Sequence, residues 1–180
     1  RSRGLGDVYK RQQQYGAALD ALDQLPESEE SKRRWLSISG RRAFACVFNP
    51  ALEQTEMLAR AAALGEELGD LSAVGHALFW RGFILYSLGN MAEALETYQE
   101  GLEVAERAED ERLVAQLRAN IGESRAATCE YDTASTLLDE SIATKRRLHS
   151  GKGRSKTPTG SAYALALSLI HISEPTRPLH

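Results

Sequence analysis

Along residues 93–105, Leu95, Tyr98, Leu102 and Ala105 recur at steps of three and four, while Glu93, Glu96, Glu100 and Glu103 recur on another side. This spacing predicts an amphipathic helix with one apolar stripe and one solvated acidic stripe. Residues 71–88 are apolar nearly all round, as expected of a helix sandwiched between neighbours. Gly65, Gly69 with Asp70, and Gly89 with Asn90 mark the expected helix stops, because glycine tolerates the left-handed turn that ends a helix.

The pattern repeats. Residues 75–110, GHALFWRGFILYSLGNMAEALETYQEGLEVAERAED, put Leu78 and Gly82 on a first helix, Gly89 at a turn, and Ala94, Tyr98 and Gly101 on a second. The unit resembles a tetratricopeptide repeat, departing from it at Arg81, where that family usually has Leu, and at Glu106, where it often has Pro. About forty residues on stand Ile121, Gly122, Tyr131, Ala134, Leu138 and Ser141. The same step backwards lands on Asn49 and Pro50 at a turn, with Pro50 expected in a first helical turn, where its missing N–H costs nothing. Tyr15, Ala18, Leu22, Leu25 and Pro26 fit the second helix of an earlier unit, and residues 161–166 the opening of a later one. The resemblance implies an all-α fold, a right-handed α-solenoid of antiparallel helix pairs. No such pair buries its apolar face alone, so stacking supplies the core. Tetratricopeptide units are commonly about 34 residues long. The longer period resembles the sensor arrays of large bacterial regulators, including MalT-like transcription activators and ATPase-linked adenylate cyclase-type proteins.

The two ends read differently. Residues 2–12, SRGLGDVYKRQ, can be back-translated so that the opposite strand encodes LSLIHISEPTR, residues 167–177, without a mismatch. That DNA resembles the adaptor of transposase-based sequencing libraries. The segments 1–12 and 167–180 are therefore expected to be adaptor-derived, leaving 13–149 as helical repeats, 150–160 as a flexible basic loop and 161–166 as the start of a further repeat. The natural protein is then expected to continue in both directions, with this chain a fragment of it.

Removing the ends sharpens the charge pattern. The whole chain has 22 basic and 25 acidic residues, whereas 13–166 has 17 and 23. Six of those bases, from Lys145 to Lys156, crowd one acid-free stretch, so residues 13–144 carry a net charge of −12 that would repel a nucleic-acid backbone. No run approaches the length of a membrane span and no secretory signal precedes the repeats, so a cytoplasmic location with no membrane contact is expected. Cys46 and Cys129 each fall in an apparently helical segment, far apart and without a metal-ligand pattern, and are expected to be buried free thiols.

Candidate sites follow from the resemblance, in which the first helix of each pair lines a concave groove. It selects His76, Phe79, Phe83, Tyr86 and Ser87 in one unit, and Gln116, Ala119, Glu123 and Ala126 in the next. Phe79, Phe83 and Tyr86 share a face, where they either anchor a peptide or pack against the neighbouring first helix. His76 either contacts a ligand or is structural. Asn120 and Glu123 either bind peptide polar groups or are ordinary solvated positions. The basic stretch 144–161 is expected to be a solvated loop, with nucleic-acid or acidic-partner contact as the alternative; its GKGRSKT lacks phosphate-loop spacing. Ser124 has no nearby His, and no cofactor or catalytic constellation is expected. The predicted function is non-catalytic docking of a protein or peptide, with ligand sensing inside a larger ATPase or transcription regulator as the alternative.

Overall fold

The computed structural model describes residues 3–150 except Phe48, and among these there are seven helices and no strand. They are α1 (Arg3–Asp23), α2 (Glu29–Cys46), α3 (Glu53–Glu67), α4 (Leu71–Ser87), α5 (Met91–Arg107), α6 (Glu111–Ala127) and α7 (Tyr131–Ser150). The expected repeat start at 161–166 and the segment 167–180 lie outside the described residues. The chain divides into two compact units, Arg1–Ala108 with α1 to α5, and Glu109–His180 with α6 and α7. Within the first, α1 packs on α2, α3 on α4 and α4 on α5; within the second, α6 packs on α7. The all-α, tetratricopeptide-like array of helix pairs is what the chain forms.

Helices α4 to α7 start at Leu71, Met91, Glu111 and Tyr131, twenty residues apart, so a pair recurs every forty. One turn geometry sets this beat. Gly69, Gly89, Glu109 and Cys129, each two residues before a helix start, all have positive φ, at 66°, 85°, 54° and 64°. In three of these turns the next residue donates its N–H back to the helix just ended: Asp70 to the Gly65 carbonyl (2.8 Å), Asn90 to Leu85 (2.9 Å) and Glu130 to Arg125 (2.9 Å). Such bonds satisfy carbonyls that a helix end would otherwise leave orphaned. The following helix is capped at once, Asp70 accepting from the Ala73 N–H and Asp110 from that of Leu113, both at 3.0 Å.

Three expectations change here. Gly65 is no stop: it lies inside α3, where a Cβ would sit 2.8 Å from Val74 Cγ2. The helix continues because Gly65 serves the α3–α4 contact, and Gly69 makes the turn. Pro50 precedes α3, which begins only at Glu53, and Gln54 instead ties the connection by accepting from the Ala51 N–H (3.2 Å). Cys46 is buried, but Cys129 is exposed because it occupies the left-handed turn position between α6 and α7.

Helix crossings form the cores. In the first unit a Cβ on Gly82 would lie 2.6 Å from two ring carbons of Tyr98, so the ring rests on bare α4 backbone and is only 1% exposed. In the second, a Cβ on Gly122 would lie 2.9 Å from Leu138 Cγ, and buried Ser141 donates its hydroxyl to the Ala115 carbonyl at 2.6 Å. The departure at Arg81 has a local cause. Its guanidinium reaches from α4 to Glu93 of α5 (2.9 Å), and Asn90 donates to the other oxygen of the same carboxylate (2.7 Å).

Two substitutions test these devices by urea unfolding. Gly82→Ala forces a methyl into the Tyr98 ring and is expected to cost about 1–3 kcal/mol, as overpacking does; an unchanged midpoint would refute the crossing. Cys129→Gly relieves a left-handed side-chain residue and is expected to raise stability by about 0.5–1 kcal/mol, the strain outweighing glycine's extra unfolded-state freedom.

Candidate functional site

In the first unit α2 and α4 carry short side chains where they face one another, and a cleft of about 530 Å3 remains. Gly40 of α2, Ala61 of α3, and Ala73 and Ala77 of α4 contribute its short side chains. A Cβ at Gly40 would meet nothing within 4 Å. Phe44 and Trp80 supply aromatic lining, while Tyr15, Arg41 and His76 add polar groups. The lining contains no Asp or Glu.

Trp80 organises the aromatic part. Its ring meets Phe44 of α2 edge-on (centroids 6.0 Å, planes at 77°), Phe79 (4.9 Å, 67°) and Phe83 (5.9 Å, 79°). Edge-to-face contacts of this kind add about 0.5–1.5 kcal/mol each to the area they bury. Phe44 nevertheless remains 66% exposed.

The sequence-derived residues divide between cleft and support. His76 lines the cleft, exposed, with Nδ1 2.9 Å from the Ser72 carbonyl. A carbonyl only accepts, so Nδ1 donates in this contact. Phe79 is buried and Phe83 half-buried; both back Trp80. Tyr86 is half-buried further along α4. Sequence reasoning passed over Trp80 and Phe44. The signal was present, since His76, Trp80 and Phe83 also follow the four-three spacing of one helix face.

In the second unit Gln116 donates its amide to the side-chain oxygen of buried Asn120 (2.9 Å). Glu123 faces Lys145 of α7: burial raises the Glu123 pKa while Lys145 opposes it, and burial lowers that of Lys145 while Glu123 opposes it. Forty residues earlier the same positions hold Phe83 and Ala105.

The basic stretch is not a loop from its start. Residues 144–150 continue α7, Lys145 is buried at 8% exposure, and Arg147 pairs with Glu111 at 2.8 Å. Its remaining bases, Lys152, Arg154 and Lys156, lie outside the described residues. Elsewhere in the first unit, hydrogen bonds from Arg60 lower the Asp23 pKa, and the same guanidinium lies 4.4 Å over the Trp35 ring, clamping α3 to α1 and α2. Among the described residues no cluster of three or more His, Cys, Asp or Glu could hold a metal, and no helix is long and apolar enough to cross a membrane.

The forty-residue beat, the left-handed turns and the glycine crossings describe one kind of repeat. Residues 74–147 match the tetratricopeptide repeat. The matched segment runs from within α4 to within α7, so it takes in most of two successive helix pairs. No curated protein matches the chain. Tetratricopeptide repeats are generally non-catalytic modules that bind proteins or peptides.

The Glu123–Lys145 pair gives the site a stability test. Replacing both by their counterparts, Glu123→Phe with Lys145→Ala, is expected to stabilise the chain, because two partly desolvated charges give way to apolar packing. Lys145→Ala alone strips a half-buried carboxylate of its countercharge and is expected to destabilise at pH 7. Because the folded Glu123 pKa is raised, that penalty is full above it and fades as pH falls toward the ordinary value of 4.5. Chemical denaturation of Lys145→Ala with and without Glu123→Gln, across pH, checks the sign.

Proposed function

We propose that this chain is a non-catalytic protein-interaction module that seats a peptide, or a segment of a partner domain, in the α2–α4 cleft of its first unit. One observation carries the reading: an open space of about 530 Å3 on first helices, lined by Phe44 and Trp80 with Phe44 mostly exposed. Exposed aromatics supply large contact areas at low entropic cost, and residues of this type dominate binding energetics. On this reading His76 lines the site, and Phe79 and Phe83 hold Trp80 in place. The expected setting is a module of a larger bacterial protein, with residues 13–149 doing the binding.

A second reading, ligand sensing within a larger ATPase or transcription regulator, is favoured by the cleft's size. Its volume falls within the roughly 300–1,000 Å3 of small-molecule sites.

Selection of a random displayed peptide library on the full chain tests the first reading. Enriched peptides are expected to lose about tenfold or more in affinity on Phe44→Ala, with helicity by circular dichroism unchanged because Phe44 contributes little to the core. A selection that enriches nothing, or peptides indifferent to Phe44→Ala, would reject the cleft as a peptide site.

A further inference from the structure

Helix α2 separates its charges along its length. Lys32, Arg33, Arg34, Arg41 and Arg42 stand against only Glu29 and Glu30. The two acids are taken, Glu29 by Arg33 (2.8 Å) and Glu30 by Arg34 (2.5 Å), and Lys32 is bound by Glu67. Arg42 lays its guanidinium against α1 at Gly16. Arg41 is different. It lines the cleft, is exposed, and has Ser37, Ile38, Phe44 and Ala45 at the neighbouring helical positions, none of them acidic. A carboxylate-free lining in a chain with 25 acidic residues gives this cleft the opposite polarity to most of the surface.

The apolar part has its own shape requirement. Small residues leave depth at Gly40, Ala73 and Ala77, and Phe44 and Trp80 offer ring edges and faces beside it. A bulky flat side chain fills such a space, whereas a methyl leaves it empty and forfeits the dispersion contacts.

We infer that the occupant of this cleft is a partner segment carrying an aromatic side chain, inserted over Gly40 beside the Phe44–Trp80 contact, with an adjacent Asp or Glu paired to Arg41. The inference rests on the interaction reading above and adds the chemistry of the partner. Hydrogen bonding between a guanidinium and a carboxylate at the mouth of an apolar slot fixes register as well as adding affinity.

The probe is an array of short peptides, all acetylated and amidated so that no terminal carboxylate contributes, in which the central residue and its flanks vary independently. Binding to the full chain is expected to concentrate in members with central Trp, Phe or Tyr flanked by Asp or Glu. These should exceed their Ala-centred and Lys-flanked counterparts by about tenfold or more. Gly40→Phe, which fills open space, should abolish binding, while Gly40→Ala should retain it. Arg41→Glu should exchange the preference, weakening acidic members and strengthening Lys-flanked ones, with helicity unchanged in every variant. Equal binding of Ala-centred or Lys-flanked members, or indifference to Gly40→Phe or Arg41→Glu, would overturn the inference. If the random library instead enriches a different motif that depends on Phe44, the interaction reading stands and this chemistry is rejected; if neither library binds, both fall.

Discussion

Helices α4 and α5 approach until the Tyr98 ring rests on the α4 backbone, and only a residue without a Cβ permits that at position 82. The contact does two jobs. It buries a large aromatic almost completely, and it fixes where along α4 the second helix of the pair must cross. The α6–α7 pair uses the same solution with different atoms, Gly122 under Leu138, and α3–α4 uses Gly65 against Val74. Since each pair buries only part of its apolar surface, the geometry of one crossing decides which face is offered for the next contact.

The turns enforce the same regularity from the backbone side. Glu109 and Cys129 occupy the position that Gly69 and Gly89 fill elsewhere, although a left-handed conformation is costly for residues with a Cβ. That the chain accepts this strain twice points to helix packing rather than local preference as what sets the turn geometry, helped after Cys129 by the Arg125 carbonyl that Glu130 satisfies. It also explains what the sequence concealed. Glycine marked two turns openly, whereas Cys129 read as part of a helix, because its neighbours are ordinary helix formers and only the forty-residue comparison with Gly89 reveals its role. Gly65 misled in the opposite direction: a glycine near a helix end served packing, with the turn four residues later.

The pairing of helices was legible because it rests on periodicity and small residues, both of which are local. The cleft was less so. His76 falls in its lining, yet attention to Phe79 and Phe83 passed over Trp80, which touches both and also meets Phe44. Adjacent aromatics on an all-apolar helix give almost no moment with which to separate inward from outward faces. Phe44 lies beyond the better-matching repeat, in a helix pair whose turn carries Asn49 and Pro50 in place of glycine. Lys145 was hidden by composition, since a base beside Arg146 and Arg147 reads as solvated until position 105 is seen to be a buried alanine.

The polarity of the cleft follows from how α2 is stabilised. Glu29 and Glu30 stand in the first turn, where the helix dipole favours negative charge, and Arg33 and Arg34 one turn later pair with them. With the acids spent at that end, nothing on α2 neutralises Arg41 and Arg42 further along it. Arg41 is therefore uncompensated on its own helix and is the one Lys or Arg in the lining of the cleft. On the proposed reading, the sign of partner that the cleft prefers follows from the few groups that line it rather than from the net charge of the chain.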